Sequence, residues 1–174
     1  MQSYVNQERK DVAAMKKKVL SVLVDNTSGV LNRVAGLFSR RGYNIDSLTV
    51  GETENPAYSR MTIVVRGEDE TLEQIEKQIL KLEDVVGVQD IGNVSVCREL
   101  ILVKVAVGPE ERQQVISVAN IFRANIVDVS PDSLMIELTG NQEKLTAFTN
   151  LLEGFKILEL ARTGITGLTR GIAD

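Results

Sequence analysis

The turn at residues 25–29, Asp-Asn-Thr-Ser-Gly, has the residue types needed to hold a small anion or a zwitterion. It follows an apolar run, Val19 to Val24, and precedes a stretch whose apolar residues have helical spacing. A glycine-containing turn that opens a helix leaves backbone N–H groups pointing outward at the positive end of the helix dipole. The turn is therefore the best candidate in the sequence for binding a carboxylate or a phosphate.

Individual residues around this turn suggest an amino acid as the ligand. Gly29 lets a ligand approach the backbone, and Asn26 and Ser28 are short polar residues that could bind a ligand or simply cap the helix. Asn44, at the start of the next predicted strand, could join the site or only support the preceding turn. Asparagine carbonyl groups and helix-start N–H groups together could hold an ammonium and a carboxylate.

Composition argues against several classes of function. The chain has 174 residues, 43% of them hydrophobic and 25% charged, which is typical of a folded globular protein. A net charge of -4 with interspersed signs, together with 4% aromatic residues, argues against nucleic-acid binding. No apolar run approaches the ~20 residues of a membrane helix, and the N-terminal residues have no hydrophobic signal region. We expect no membrane association.

Catalytic and metal-binding groups are scarce. The chain has no histidine, which removes the commonest general base and a common metal ligand. Cys97 lies in an apolar run and is interpreted as a packing residue, while Asp128 and Asp132 do not form a plausible catalytic pair. We therefore predict no catalytic residue, no metal site and no cofactor in this chain. A single cysteine favours a reducing compartment, so we expect a cytoplasmic protein, or an organellar one after loss of a transit segment.

Hydrophobic periodicity predicts the order βαββαβ twice. Residues 1–17 are polar and are predicted to be a mobile tail. The elements predicted for the first half are strand 19–24, helix 29–42, strands 43–52 and 58–66, helix 70–82 and strand 85–96. Those predicted for the second half are strand 100–107, helix 110–122, strands 126–129 and 134–138, helix 143–152 and strand 155–160.

The repeated order predicts an α+β protein with two tandem ferredoxin-like βαββαβ domains, 18–96 and 97–174. Residues 67–72 align with 140–145 at a separation of 73, whereas Phe38 aligns with Phe122 at 84. We assign this difference of 11 residues to the first hairpin connection, around Pro56. The second half has Glu110 and Glu111 where the first has its polar turn, so ligand binding is expected only within residues 25–65.

The segment Asp25-Asn-Thr-Ser-Gly-Val-Leu-Asn-Arg-Val-Ala-Gly-Leu-Phe-Ser-Arg-Arg-Gly-Tyr-Asn-Ile-Asp-Ser-Leu-Thr-Val50 closely resembles the ACT domain of a known family. That family is the small, regulatory subunits of acetohydroxyacid synthase, also called acetolactate synthase. The resemblance continues through Ser59-Arg-Met-Thr-Ile, Glu99-Leu-Ile-Leu-Val-Lys-Val and Ala161-Arg-Thr-Gly-Ile, and covers nearly all of residues 18–171.

The resemblance implies that the first domain is an ACT domain that dimerises side by side with a second copy and binds valine at the interface. The site would be lined by Asn26, Gly29, Val30 and Leu31 of one chain and by Asn44 and Ile45 of the other, with Ser28 in the same turn.

The resemblance also implies a noncatalytic subunit in branched-chain amino acid biosynthesis that binds a catalytic large subunit, raises its activity and confers feedback inhibition. Thiamine diphosphate, magnesium and FAD would belong to that partner. The alternative is another amino-acid-sensing ACT protein, such as a transcriptional regulator, but the chain has no basic helix-turn-helix segment. A Gly29→Asp variant is expected to fold and to bind valine more weakly.

Overall fold

The computed structural model of the chain describes residues 15–92 and 95–171. They form two compact units, each considered by itself below. The first contains the described residues up to Val96 and the segment that begins at Gly167, and the second is Cys97–Thr166.

The first unit contains two helices and four strands in the order βαββαβ. The elements are β1 (Lys16–Asp25), α1 (Val30–Arg41), β2 (Ile45–Glu52), β3 (Tyr58–Gly67), α2 (Asp69–Ile79) and β4 (Val85–Asp90). The strands form one antiparallel sheet in the order β2-β3-β1-β4.

Apolar residues that alternate along the two central strands form the core of this unit. Leu20 and Val22 of β1 are fully buried and stand opposite Ile63 and Met61 of β3. Residues with helical spacing on α1 and α2 pack on the same cluster, which places both helices on one face of the sheet. The buried helix residues are Val30, Val34, Leu37, Phe38, Leu72, Ile75 and Ile79.

The second unit repeats this plan with its own core. Its elements are β5 (Ser95–Ala106), whose first two residues precede the unit, α3 (Pro109–Phe122), β6 (Asn125–Val129), β7 (Ser133–Gly140), α4 (Gln142–Leu152) and β8 (Ile157–Arg162). Its sheet has the order β6-β7-β5-β8. The rings of Phe122 and Phe148, one from each helix, meet edge to face with centroids 5.4 Å apart. A short strand, β9 (Thr166–Thr169), follows β8 along the chain and pairs with β5.

The predicted α+β class with βαββαβ repeated twice is confirmed. Several predicted element ends shift by a few residues, and three differences change how the chain is divided. First, β1 begins at Lys16, because Lys16 and Lys17 pair with Gly67 and Arg66 of β3. The last two residues of the predicted mobile tail are therefore strand residues, and positions 1–14 of that prediction lie outside the described residues.

The other two differences concern the second unit. Ser95 and Val96 belong to β5, which runs without interruption through the expected domain boundary, and not to the preceding strand. The segment from Gly167 groups with the first unit, whereas we expected it in the domain 97–174. Because β9 follows the last element of the repeat, the repeated plan held no information about it.

The length difference between the two halves is also distributed differently from the prediction. The connection between β2 and β3 has five residues, 53–57, and that between β6 and β7 has three, 130–132. Most of the 11 extra residues therefore lie in a longer helix end and longer strands, so the assignment to the hairpin connection alone is wrong. Within the part of the chain that is described, no helix is long and apolar enough to cross a membrane.

Candidate ligand-binding site

The predicted turn opens α1 without a side-chain cap. Gly29 is the N-cap residue, with φ +86, and no side chain accepts a hydrogen bond from the start of the helix. The capping interpretation of Asn26 and Ser28 is therefore wrong, and Ser28 is exposed. The first turn of α1 also contains no acidic residue. Its first N–H groups thus face outward at the positive end of the dipole, which suits an anion.

The corresponding turn of the second unit is arranged differently. Glu110 and Glu111 lie in the first turn of α3, and the Glu111 carboxylate accepts a hydrogen bond of 3.0 Å from the Gly108 N–H. A carboxylate of the protein itself therefore occupies this helix start, which would repel a second anion.

Gly29 is required in its position for two reasons. Its φ of +86 lies in the left-handed region, and a Cβ added there would stand 2.9 Å from Nη1 of Arg33. Any side chain at position 29 would strain the backbone and displace the guanidinium. The expectation that Gly29→Asp leaves the fold intact therefore needs correction, because the substitution changes the turn itself as well as its charge.

Arg33 and Asp84 hold the turn on the side of β4. The guanidinium donates from Nε and Nη2 to the two carboxylate oxygens, at 2.5 and 2.8 Å. The backbone carbonyl of Asp84 also accepts a hydrogen bond of 2.9 Å from the Asp25 N–H. Through its hydrogen bond and its charge, Arg33 lowers the pKa of the Asp84 carboxyl, while Asp84 raises the pKa of Arg33.

Asn26 holds the turn on the side of the β2–β3 connection. Its Nδ2 donates to the Pro56 carbonyl at 2.9 Å and to Oε2 of Glu52 at 3.2 Å. Its Oδ1 accepts a hydrogen bond of 3.0 Å from Oγ of Ser59, which is 7% exposed. The Asn26 N–H donates to the Ala57 carbonyl at 2.8 Å. The amide is thus engaged within the chain, a role that sequence reasoning did not predict.

The connection that Asn26 binds is itself ordered by local hydrogen bonds. The Thr53 hydroxyl donates to the Asn55 carbonyl at 2.9 Å, and Oδ1 of Asn55 accepts from the Ala57 N–H at 3.1 Å. The Thr53 N–H donates to the Tyr58 carbonyl at 3.1 Å, which closes the hairpin. Because Pro56 lies inside this bonded turn, its carbonyl is held in place for Asn26.

Asn26 and Asn44 lie at opposite ends of the sheet. Asn26 contacts Glu52, the last residue of β2, whereas Asn44 is exposed and immediately precedes Ile45, the first residue of that strand. Seven steps along a strand span about 23 Å. One copy of the chain therefore does not bring these two predicted site residues together.

The three apolar site residues differ in exposure. Val30 is 3% exposed and belongs to the core, so only its backbone could reach a ligand. Leu31 is 47% exposed beside the start of α1. Ile45 is half-buried and packs against the core of the first unit. Among these residues, Leu31 is the one with a largely available side chain.

Four residues that sequence reasoning missed surround the turn: Arg33, Glu52, Ser59 and Asp84. The sequence could have indicated Arg33, because a residue four positions after Gly29 lies on the same side of a helix. The others are brought there by strand pairing.

Outside the turn, Cys97 is half-buried on β5. The residues described contain no group of three or more His, Cys, Asp or Glu that could hold a metal.

Two βαββαβ units in tandem define an α+β protein of the ferredoxin-like class. A family model described as "AHAS small subunit-like ACT domain" matches residues 20–87, and one described as "Small subunit of acetolactate synthase" matches residues 98–171. The first unit is thus an ACT domain.

Individual relatives agree with these matches. A probable acetolactate synthase small subunit from Methanothermobacter thermautotrophicus is 55% identical over 88% of this chain and 92% of its own. The acetolactate synthase small subunit of Mycobacterium bovis is 54% identical over 90% and 94%. The crystal structure of the small subunit from Thermotoga maritima, at 45% identity, superimposes with a TM-score of 0.83 over 91% of this chain and 99% of that one. The chain belongs to the family of acetolactate synthase small subunits, which are regulatory subunits.

Proposed function

We propose that this protein is a noncatalytic regulatory subunit that binds a branched-chain amino acid, valine in particular, between the ACT domains of a homodimer. In this proposal it activates the catalytic large subunit of acetolactate synthase and confers feedback inhibition on branched-chain amino acid biosynthesis in the cytoplasm. Its membership of the small-subunit family favours this function over that of a transcriptional regulator. The observation that carries the ligand site is the uncapped start of α1 beside Asn26.

A dimer would explain how Asn26 and Asn44 act together. β2 is an edge strand, so its outer backbone groups can pair with another strand. Antiparallel pairing of β2 with the β2 of a second copy would bring the start of one strand near the end of the other. Asn44 of one chain would then approach Glu52 and Asn26 of its partner. Each dimer would contain two such sites, related by the two-fold axis.

The arrangement suits a zwitterion with a short apolar side chain. A carboxylate would accept hydrogen bonds from the first N–H groups of α1, where the helix dipole stabilises negative charge. An ammonium would need acceptors, which Asn26 and the partner's asparagine at position 44 can provide. The exposed part of Leu31 offers an apolar contact for the ligand's side chain. Together these groups would recognise the three parts of valine.

Regulation would follow if valine favours one arrangement of the dimer over another. A coupling free energy of about 1–3 kcal/mol between the ligand site and the catalytic subunit would suffice. The chemistry of acetolactate formation, with thiamine diphosphate, magnesium and FAD, would belong to the partner. We propose no cofactor in this chain.

Calorimetric titration tests ligand binding directly. L-Valine is titrated into the full chain, with L-leucine, L-isoleucine and L-serine as comparisons. Saturable binding of valine with weaker binding of serine is the expected result. Absence of binding to any branched-chain amino acid, both by the chain alone and by the chain reconstituted with its catalytic subunit, would contradict the proposal.

Mixing variants tests whether the site is shared between two chains. Asn26→Ala and Asn44→Ala are first purified separately, and each homodimer is expected to lose both sites. Co-expression with two different tags then yields a heterodimer in which one site carries both substitutions and the other carries neither. Recovery of one valine site per heterodimer is expected. A heterodimer that binds no more valine than either homodimer would contradict a shared site, provided both variants are folded and dimeric at the temperature of the titration.

A further inference from the structure

The orientation of the Asn26 amide follows from its neighbours. The Pro56 carbonyl and the Glu52 carboxylate can only accept hydrogen bonds, so the amide nitrogen must face them. Oδ1 then faces Ser59, whose hydroxyl must donate. Both N–H bonds of Nδ2 and one lone pair of Oδ1 are used in this way.

What remains of this amide for a ligand is therefore the second lone pair of Oδ1. In this orientation Asn26 can accept a hydrogen bond from a ligand but has no remaining N–H to donate. An α-ammonium group is a donor and fits such a group, whereas the keto oxygen of a 2-oxo acid is an acceptor and does not.

We propose that Ser59 is a positioning residue. It holds the oxygen end of the Asn26 amide, whose nitrogen end is held by Pro56 and Glu52, so that the second lone pair of Oδ1 keeps a fixed direction and the site selects amino acids over 2-oxo acids. Ser59 acts through Asn26 and does not touch the ligand itself. The inference rests on the proposed function, because it assumes that the turn at Asn26 binds an amino acid. Ser59 lies near the start of β3 and is 7% exposed.

The test compares two ligands of the same size on a series of variants of the full chain. L-Valine carries the ammonium, and 3-methyl-2-oxobutanoate has the same carbon skeleton with a keto oxygen in its place. Ser59→Thr keeps a hydroxyl donor, Ser59→Cys keeps a weak thiol donor, and Ser59→Ala has none. Dissociation constants for both ligands and the melting temperature are measured for each variant.

Ser21→Ala is the matched control. Ser21 is 3% exposed on β1, and its Oγ accepts a single side-chain hydrogen bond of 2.9 Å, from Arg60. Its replacement removes a similarly buried hydroxyl from the same sheet without changing Asn26. We expect Ser21→Ala to lower the melting temperature and to leave the affinity for valine unchanged.

We expect Ser59→Ala to weaken valine binding roughly three- to tenfold, the upper limit being the net free energy of the Ser59–Asn26 hydrogen bond that it removes, with a change below about twofold for the oxo acid. The valine affinity of Ser59→Cys should lie between those of Ser59→Ala and the wild type, and Ser59→Thr should keep the wild-type preference for valine over the oxo acid. If valine affinity across the variants correlates with the melting temperature and not with the strength of the hydrogen-bond donor at position 59, the inference is overturned. If the wild type itself does not bind valine, the proposed function fails, and the role of Ser59 in selectivity fails with it.

Discussion

The carboxylate of Asp84 accepts two hydrogen bonds from the guanidinium of Arg33, and this pair joins the first turn of α1 to the start of β4. The backbone of Asp84 also binds Asp25, on the other side of the glycine turn. One residue therefore contacts both flanks of the candidate site. Together with Asn26 and the β2–β3 connection, it explains how a short polar turn keeps a defined shape without a helix cap.

Replacing Asp84 should make the free energy of unfolding less dependent on pH in the acid range. The pKa of Asp84 is lowered in the folded protein, so its ionisation favours folding above the unfolded-state pKa, and this contribution is lost as the pH falls through the folded-state pKa. Asp84→Asn should therefore lower the free energy of unfolding at pH 7, and the difference from wild type should shrink below about pH 4. Urea denaturation at a series of pH values measures this. Asp132→Asn, at an exposed turn position, is the control, and an equal pH effect in both variants would contradict the role of the pair.

Substitutions at three glycines distinguish the cost of a strained backbone from the cost of a steric contact. Gly29 has a positive φ and a close neighbour, Gly42 has φ +69 with open space around it, and Gly87 has open space and no positive φ. Gly42→Ala should destabilise by about 1–2 kcal/mol, Gly29→Ala should destabilise more, and Gly87→Ala should be neutral or stabilising. Chemical denaturation gives the order. Equal effects of the first two substitutions would mean that Arg33 moves away from a Cβ at position 29 without cost.

Val30 and Leu31 should differ in what they contribute. Val30 is a core residue, so Val30→Ala should lower the free energy of unfolding by about 2 kcal/mol through lost burial and a small cavity. Leu31→Ala, at a half-exposed position, should change it by less than about 0.5 kcal/mol and should weaken valine binding. Denaturation and calorimetry on the same preparations distinguish the two effects. A Leu31→Ala variant with unchanged valine affinity would remove this side chain from the site.

The second unit allows a comparison of an ion pair whose carboxylate is buried with an ion pair on the surface. Glu99 is 6% exposed and accepts hydrogen bonds of 2.9 and 2.8 Å from Arg162. Arg162→Met would leave this carboxylate buried without its cation, and we expect a loss of about 2–3 kcal/mol of stability. Lys104 pairs with Glu159 on the surface, so Lys104→Met is the control and should change stability little. Equal losses for the two substitutions would show that the burial of Glu99 does not determine the cost.

The order of elements could be read from the sequence because each strand and helix has its own apolar period. Leu20, Val22 and Val24 alternate as a half-buried strand requires, and Val30, Val34 and Leu37 have the spacing of one helix face. The repeated pattern then restricts the fold to two ferredoxin-like units. The ends of β1 and β5 were harder to place, since Lys16 and Ser95 become strand residues by pairing with partners and not through an apolar pattern.

The sequence by itself determined the two-unit α+β fold and the glycine turn before α1, because both depend on local spacing and on residue type. Only the tertiary structure decided which residues surround that turn, since Ser59 and Asp84 lie 33 and 58 positions along the chain from Asn26. It also decided that the Asn26 amide binds its own chain and that Asn44 lies at the far end of β2. The physical reason is that strand pairing determines which distant side chains meet, and the apolar pattern of one strand specifies its buried face but not its partner.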